Sequence, residues 1–203
     1  MLPPALRHGF SPYEIEFLAE NELIDILPSY KMDPLHLICG TYGPFQPPKR
    51  TQVPLWLALT LKKHQKCSII PPEWLTIEYL EKTLEEEREH SDRFSEMPYR
   101  YMETAHLLLE SATDDIQDVN EIRALLKDLR EARQVKVREG MLALEPTYIQ
   151  MDNLSLMEIN EIRPLFAQAF NDLHRLTRSM EEDIDMSDAH MPSSSAINSS
   201  QNI

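Results

Sequence analysis

Glycine is scarce, at four residues of 203, and cysteine scarcer still, at two. A phosphate-cradling loop or a dinucleotide fingerprint needs several glycines at fixed spacing, so neither nucleotide motif is available. Cys39 and Cys67 cannot build a disulfide framework, which points to a reducing compartment. Long apolar runs are missing too. The most extended one, Val53 to Leu61, is interrupted by Pro54 and is far too short for a membrane span. The opening MLPPALRHGF carries two prolines and no apolar stretch of signal-peptide length. These absences favour a soluble intracellular protein with no membrane partner.

Positive charge is also in deficit. Lys plus Arg number 20 against 34 Asp plus Glu, for a net charge of −14. The imbalance falls on residues 71–180 and 181–203, while residues 1–70 are close to neutral. Phosphate contact wants net positive charge on the binding face, so nucleic acid should be met only indirectly or weakly, and proteins are the expected partners. What is present is enough apolar material, 42% of residues, to bury a core.

Prolines divide the chain. Eleven of fifteen lie in residues 1–72, where short elements and loops are expected, and the remainder of the chain should form long helices. The reading is mainly α: a small β-rich domain with an N-terminal helix at 1–70, a helical bundle domain at 71–180, and a disordered acidic and Ser-rich tail at 181–203.

Ser11-Pro12-Tyr13-Glu14 is a capping box with proline in the first turn, so a helix starts there. Leu23–Leu27 and Leu35–Cys39 read as strands, and Gly40 to Pro48 as turn and loop. Val53–Leu61 fits either a strand or a helix opened by Pro54. Farther on, helices are expected from Thr76 to about His90, and from Pro98 with Tyr101, Ala105, Leu108, Leu109 and Ala112 on one face. Another should run from the Asp118-x-x-Glu121 box to a stop at Gly140. A last one should start at the Ser155-x-x-Glu158 box, with Pro164 kinking or restarting it.

Candidate chemistry is thin. His36-x-x-Cys39 and His64-x-x-Cys67 could supply four zinc ligands, but residues three apart on a strand face opposite ways and only a loop would bring them together, so a buried free Cys and an unremarkable His are the better reading. The run Glu85-Glu86-Glu87 reads as a solvated helix face, and no nucleophile elbow or triad stands out. No catalytic, metal or cofactor site is expected.

Apolar breadth is more informative. Leu107-Leu108-Leu109 covers more than half of its helix, and Leu154, Leu156, Met157, Ile159 and Ile162 also spread beyond one stripe. Such helices need cover on two sides, which favours packing against other subunits. Leu125, Leu129, Leu156, Met157 and Ile159 are the candidates for helix packing within or between subunits. Arg123, Lys127 and Arg130 share one helix face and are candidates for polar specificity at the rim, the plainer alternative being local pairing with Asp128 and Glu131.

Four stretches carry a resemblance over about residues 11–178: SPYEIEFLAENELIDILP, VPLWLALTLKKHQKCSIIPPEWL, EIRALLKDLREARQVKVR and DNLSLMEINEIR. In this order they are similar to the subunit-two type of the eukaryotic GINS family. The resemblance implies a non-enzymatic member of a heterotetramer of four related subunits, each with a helical and a small β-rich domain, the small one first in this type. It further implies nuclear work in DNA replication, at initiation and elongation. There the three other GINS subunits, the minichromosome-maintenance ring and the Cdc-forty-five cofactor are the partners in the replicative helicase. Rival readings are a helical adaptor of an unrelated assembly and, more remotely, a small zinc-binding module.

Overall fold

The computed structural model describes residues 9–142 and 152–188. Helix α1 (Pro12–Ala19) begins at the expected box. Glu14 N–H reaches Ser11 Oγ at 3.3 Å while Ser11 N–H donates to Glu14 Oε2 at 2.8 Å. Ser11 Oγ also donates to Glu14 Oε2, at 2.9 Å, and the two bonds accepted from Ser11 N–H and Oγ hold the Glu14 carboxyl below its ordinary pKa.

A three-stranded antiparallel sheet follows, with β1 (Leu23–Pro28) in the centre, β4 (Thr51–Pro54) on one side and β5 (Cys67–Ile69) on the other. Ile26 is the register point, opposite Thr51 and Ile69. Alternation along β1 turns Ile24 and Ile26 inward. The stretch read as turn and loop from Gly40 holds a strand instead. Residues β3 (Gly40–Tyr42) pair with β2 (Leu35–Leu37), and Met32 bridges Phe45. Three residues without hydrophobic alternation gave no strand pattern; cross-strand hydrogen bonds to β2 and the buried Phe45 ring organise them.

Val53–Leu61 is both things its sequence suggested. Val53 and Pro54 end β4, and Pro54 is then the N-cap of α2 (Leu55–Lys63). The orphan N–H groups of Leu55 and Trp56 donate to the carbonyls of Glu22 and Glu20, which lie between α1 and β1. The far end of α2 closes in a Schellman arrangement. Lys66 N–H donates to Leu61 O and Gln65 N–H to Lys62 O, with Gln65 at φ 55° where glycine is the usual choice.

The helical part contains α3 (Ile77–Glu89), α4 (Tyr101–Ser111), α5 (Val119–Leu142) and α6 (Leu156–Asp188), with one 3₁₀ turn at Thr113–Asp115. Three expectations are corrected. Gly140 does not stop α5, which continues to Leu142. Pro164 does not restart the last helix, because α6 runs through it, and the helix extends beyond Glu181 to Asp188. Both Gly140 and Pro164 are tolerated where neighbouring turns continue the ladder. Residues 189–203, the rest of the expected tail, lie outside the described residues.

One apolar cluster links the sheet to the helices, from Ile24, Ile26 and Val53 through Leu57 and Leu61 to Leu80, Leu108, Ile122 and Leu129. Each such side chain contributes on the order of 1.5–3 kcal/mol by leaving water. Asp115 fastens the join, since its Oδ2 accepts from Ile69 N–H at 2.8 Å and pairs with Lys62 Nζ at 2.8 Å. Leu107, Leu108 and Leu109 are all buried here, so the breadth of α4 is covered by this chain's own elements rather than awaiting another subunit.

Candidate interaction surface

On α5 the apolar positions Ile122, Leu126 and Leu129 recur at helical spacing, and the next step along the same line is Arg133. The backbone therefore carries a guanidinium into the core, where it is 0% exposed. On α3 the inward series Leu80, Thr83, Leu84 ends the same way, in Glu87. At the start of α6 Glu158, three residues after the N-cap Ser155, completes the capping box: Ser155 N–H donates to Glu158 Oε2 at 2.8 Å and Glu158 N–H to Ser155 Oγ at 3.3 Å. The three meet. Arg133 Nε donates to Glu158 Oε1 at 2.7 Å, Nη2 to Glu158 Oε2 at 3.1 Å and Nη1 to Glu87 Oε2 at 3.1 Å.

Lys136 Nζ closes on the other Glu87 oxygen at 2.6 Å, Ser95 hydrogen-bonds to Glu87 Oε2, and Tyr101 Oη donates to Glu158 Oε1 at 3.2 Å. The Phe94 ring lies 5.0 Å from the guanidinium carbon. Burial alone would raise the Glu87 pKa, but Lys136, Ser95 and Arg133 outweigh it and hold the carboxyl low. Burial would also lower that of Arg133, and Glu158 reverses the direction. Burial and the Glu158 charge push Tyr101 far above the phenol range. Three helices and the segment between α3 and α4 are thus locked by paired charge, and α6 is held at its first turn.

Beyond that turn α6 is less covered. Ile162, Phe166 and Ala169 are half-buried, and Leu165 is 57% exposed. A groove between α5 and α6 is lined by Gln134, Val137, Arg138, Glu161, Ile162 and Leu165 over a floor of Arg133 and Glu158. Val135, on α5, is also exposed. This apolar strip edged with charge is the candidate interaction surface.

The candidates from the sequence fall into three positions. Leu129 is sealed in this chain's own core and Leu125 packs against it half-buried. Leu156, Met157 and Ile159 are half-buried on the first turn of α6. Arg123 is used internally, its Nη2 donating to Leu109 O near the end of α4 at 2.8 Å. Arg130 pairs with Glu161 across the α5–α6 groove, and Lys127 stays on the solvent face within 3.6 Å of Glu131. The reading of Glu85-Glu86-Glu87 as a solvated helix face is corrected at Glu87, which is buried, and the burial of Arg133 and of the capping residue Glu158 was not foreseen; the signal was a charge standing where an apolar stripe should continue.

Among the described residues, no group of three or more His, Cys, Asp or Glu is placed to hold a metal ion, and no helix is long and apolar enough to cross a membrane. His36 Nδ1 lies 3.0 Å from Thr41 Oγ1 on the paired strand. The strand read over Leu35–Cys39 ends at Leu37, so Cys39 lies in the turn that follows it, exposed rather than buried, and the strand-spacing argument does not reach it. Cys67 is buried against Ala58 O, with its thiol pushed up to about 11 chiefly by burial, which leaves little thiolate.

Two family models match in order: the PSF2 N-terminal domain over residues 11–70 and the GINS complex protein helical bundle domain over residues 74–176. The chain is 48% identical over 182 residues to the DNA replication complex GINS protein psf2 of Schizosaccharomyces pombe, covering 90% of this chain and 99% of the relative. It is 42% identical over 172 residues to PSF2 of Homo sapiens, with 83% and 92% covered. Against PSF2 of Saccharomyces cerevisiae the identity is 38% over 193 residues, with 86% and 91% covered. With both domain models matched in order and identity sustained along nearly the full length of such distant relatives, the chain belongs to the PSF2 family of GINS complex proteins.

Proposed function

We propose that this chain is a non-enzymatic subunit of a GINS heterotetramer that braces the replicative DNA helicase in the nucleus, joining the minichromosome-maintenance ring to its Cdc-forty-five cofactor during initiation and elongation. Its contribution is mechanical. A subunit of this kind favours one arrangement of ring and cofactor by binding it better than the alternatives. ATP hydrolysis then belongs to the ring, and contact with DNA is indirect or weak.

The observation that carries the reading is the α6 strip. A helix fixed at its first turn by a buried ion cluster presents Leu165 to solvent beside half-buried Ile162 and Phe166, a surface suited to a sister chain. Coexpression with the three other subunits followed by size-exclusion chromatography with light scattering tests this. The expected product is a stable complex with one copy of each. A chain that stays monomeric and monodisperse in the presence of all three would defeat the proposal.

A further inference from the structure

In a chain with a net charge of −14, residues 34–72 contain five basic residues and no acidic one. The sheet gathers most of them at one end. Because Ile26 pairs with both Thr51 and Ile69, and Pro28 with Cys67, the strands β4 and β5 enter at the end where β1 leaves. Lys49 and Arg50 immediately precede β4, Lys66 immediately precedes β5, and Ser29 N–H is bonded to Lys66 O at 2.8 Å. Two strand spacings put the two entry points about 10 Å apart, with Tyr30 and Lys31 of the departing chain beside them. The Schellman turn after α2 adds Lys63 to the same end.

Lys31, Lys49, Arg50, Lys63 and Lys66 are all exposed, and none makes an ion pair among the described residues. Four basic residues of the helical part are spent differently: Arg100, before α4, and Arg130, Arg133 and Lys136 of α5 each grip a carboxylate. Three acidic residues belong to neighbouring segments. Asp115 is held by Lys62 and Ile69, Asp25 lies farther along β1 opposite Gln52, and Asp33 is two residues past Lys31.

We infer that this end of the sheet is a docking site for a short acidic segment of a protein partner. Charge and size decide the occupant. A nucleic-acid strand continues past a patch of this width, carrying a phosphate every few ångströms onto a molecule that is otherwise acidic. A peptide with a few clustered carboxylates ends where the lysines end. The exposed Tyr30, next to Lys31 in the chain, offers such a peptide an apolar contact. At physiological ionic strength the Debye length of about 8 Å is close to the spacing between neighbouring charges of the patch and screens acidic groups well beyond it.

The test uses the full chain in its copurified assembly, a fluorescein-labelled poly-glutamate peptide and, in parallel, labelled oligothymidylate, read by anisotropy at low and physiological salt. The peptide is expected to bind, to weaken as salt rises, and to lose at least roughly tenfold in affinity when Lys49→Glu, Arg50→Glu and Lys66→Glu are combined. Lys82→Glu, on α3, should leave binding unchanged. If the reversed-charge variant misfolds by circular dichroism, the same three positions changed to Gln give the readout. Absence of peptide binding by the unaltered protein, or equal binding by the variant, overturns the inference. So does oligothymidylate binding tighter than the peptide through the same three residues, which would make the patch a nucleic-acid site.

Discussion

Glu158 accepts the Nε of Arg133 at 2.7 Å with one oxygen and, with the other, the backbone N–H of Ser155 at 2.8 Å. The residue that caps α6 is thus also the residue that neutralises a guanidinium buried between α3, α5 and α6. Helix initiation and interhelix packing depend on a single carboxylate. A change at either partner should therefore be felt at the other.

Arg133→Met is the sharpest probe of that dependence. It leaves the Glu87 and Glu158 carboxylates buried with part of their compensation gone, Lys136 still serving the first and Ser155 the second. Loss of one partner of a buried pair costs about 3–5 kcal/mol. The expected outcome is a fall of that size in chemical denaturation, larger than for Arg130→Ala at the partly exposed pair with Glu161, where about 1 kcal/mol is the ceiling. Equal effects from the two arginines would contradict the account.

Glu103 lies in the same core with the opposite tendency. Its side chain is 6% exposed and neither carboxylate oxygen has a hydrogen-bond partner. Burial raises its pKa and the charge of Glu158 adds to this, while the Arg100 charge opposes it. A carboxyl whose folded pKa is raised stabilises most below the unfolded value of about 4.3 and loses that contribution as pH rises through the folded value. Glu103→Gln should therefore stabilise the protein at neutral pH by about 1–3 kcal/mol, with the gain shrinking toward pH about 4. Glu87 is lowered, so its contribution is present above the unfolded value and fades on acidification, and Glu87→Gln should cost most at neutral pH. Denaturation midpoints across that range decide both; a Glu103→Gln difference that does not change with pH would refute the first.

Much of the fold was legible because local signals agreed with tertiary demand. The Ser11 and Ser155 boxes are where the sequence placed them, and the apolar faces of α4 and α5 point inward. The site was less legible for a physical reason. Arg133 and Glu87 sit on apolar faces, yet each is a residue type that belongs on a surface unless paired, and the partners lie 46 residues apart in the chain. Periodicity reports which face a residue takes; it does not report which distant charge shares the pocket. The α4 leucines failed in the reverse direction, since their breadth was visible but the sheet and helices that cover them were not.

Leu129 and Leu165 separate core from interface. Leu129→Ala opens a void where the side chain is wholly buried and should cost about 2–5 kcal/mol of stability. Leu165→Glu places a charge on a solvent-facing position, so the melting temperature of the isolated chain should move little. Its effect should appear instead as lost copurification with the other subunits, through a carboxylate desolvated in an apolar contact. Copurification that survives Leu165→Glu would move the interface to another face of the molecule.

Asn160 tests how the N-terminal segment is attached to the last helix. Phe10 N–H donates to Asn160 Oδ1 at 2.7 Å and Phe10 O accepts from Asn160 Nδ2 at 2.8 Å, a two-point clasp between residues 150 apart. Gly9 makes room for it, since a Cβ there would lie 2.6 Å from that same Oδ1. Asn160→Asp is isosteric and keeps the acceptor but turns the donor into a second oxygen facing Phe10 O, so it should weaken the clasp by repulsion as well as by the lost hydrogen bond. Gly9→Ala should weaken it from the other side by displacing the amide. Hydrogen exchange at the Phe10 amide reads both: the unaltered protein should protect it, and each variant should speed its exchange by roughly tenfold for about 1.4 kcal/mol lost. Protection at Phe10 that is unchanged in Asn160→Asp would mean that α1 is held by its Ile15 and Ala19 packing and by the Arg100 hydrogen bond to Leu18 O, without the clasp.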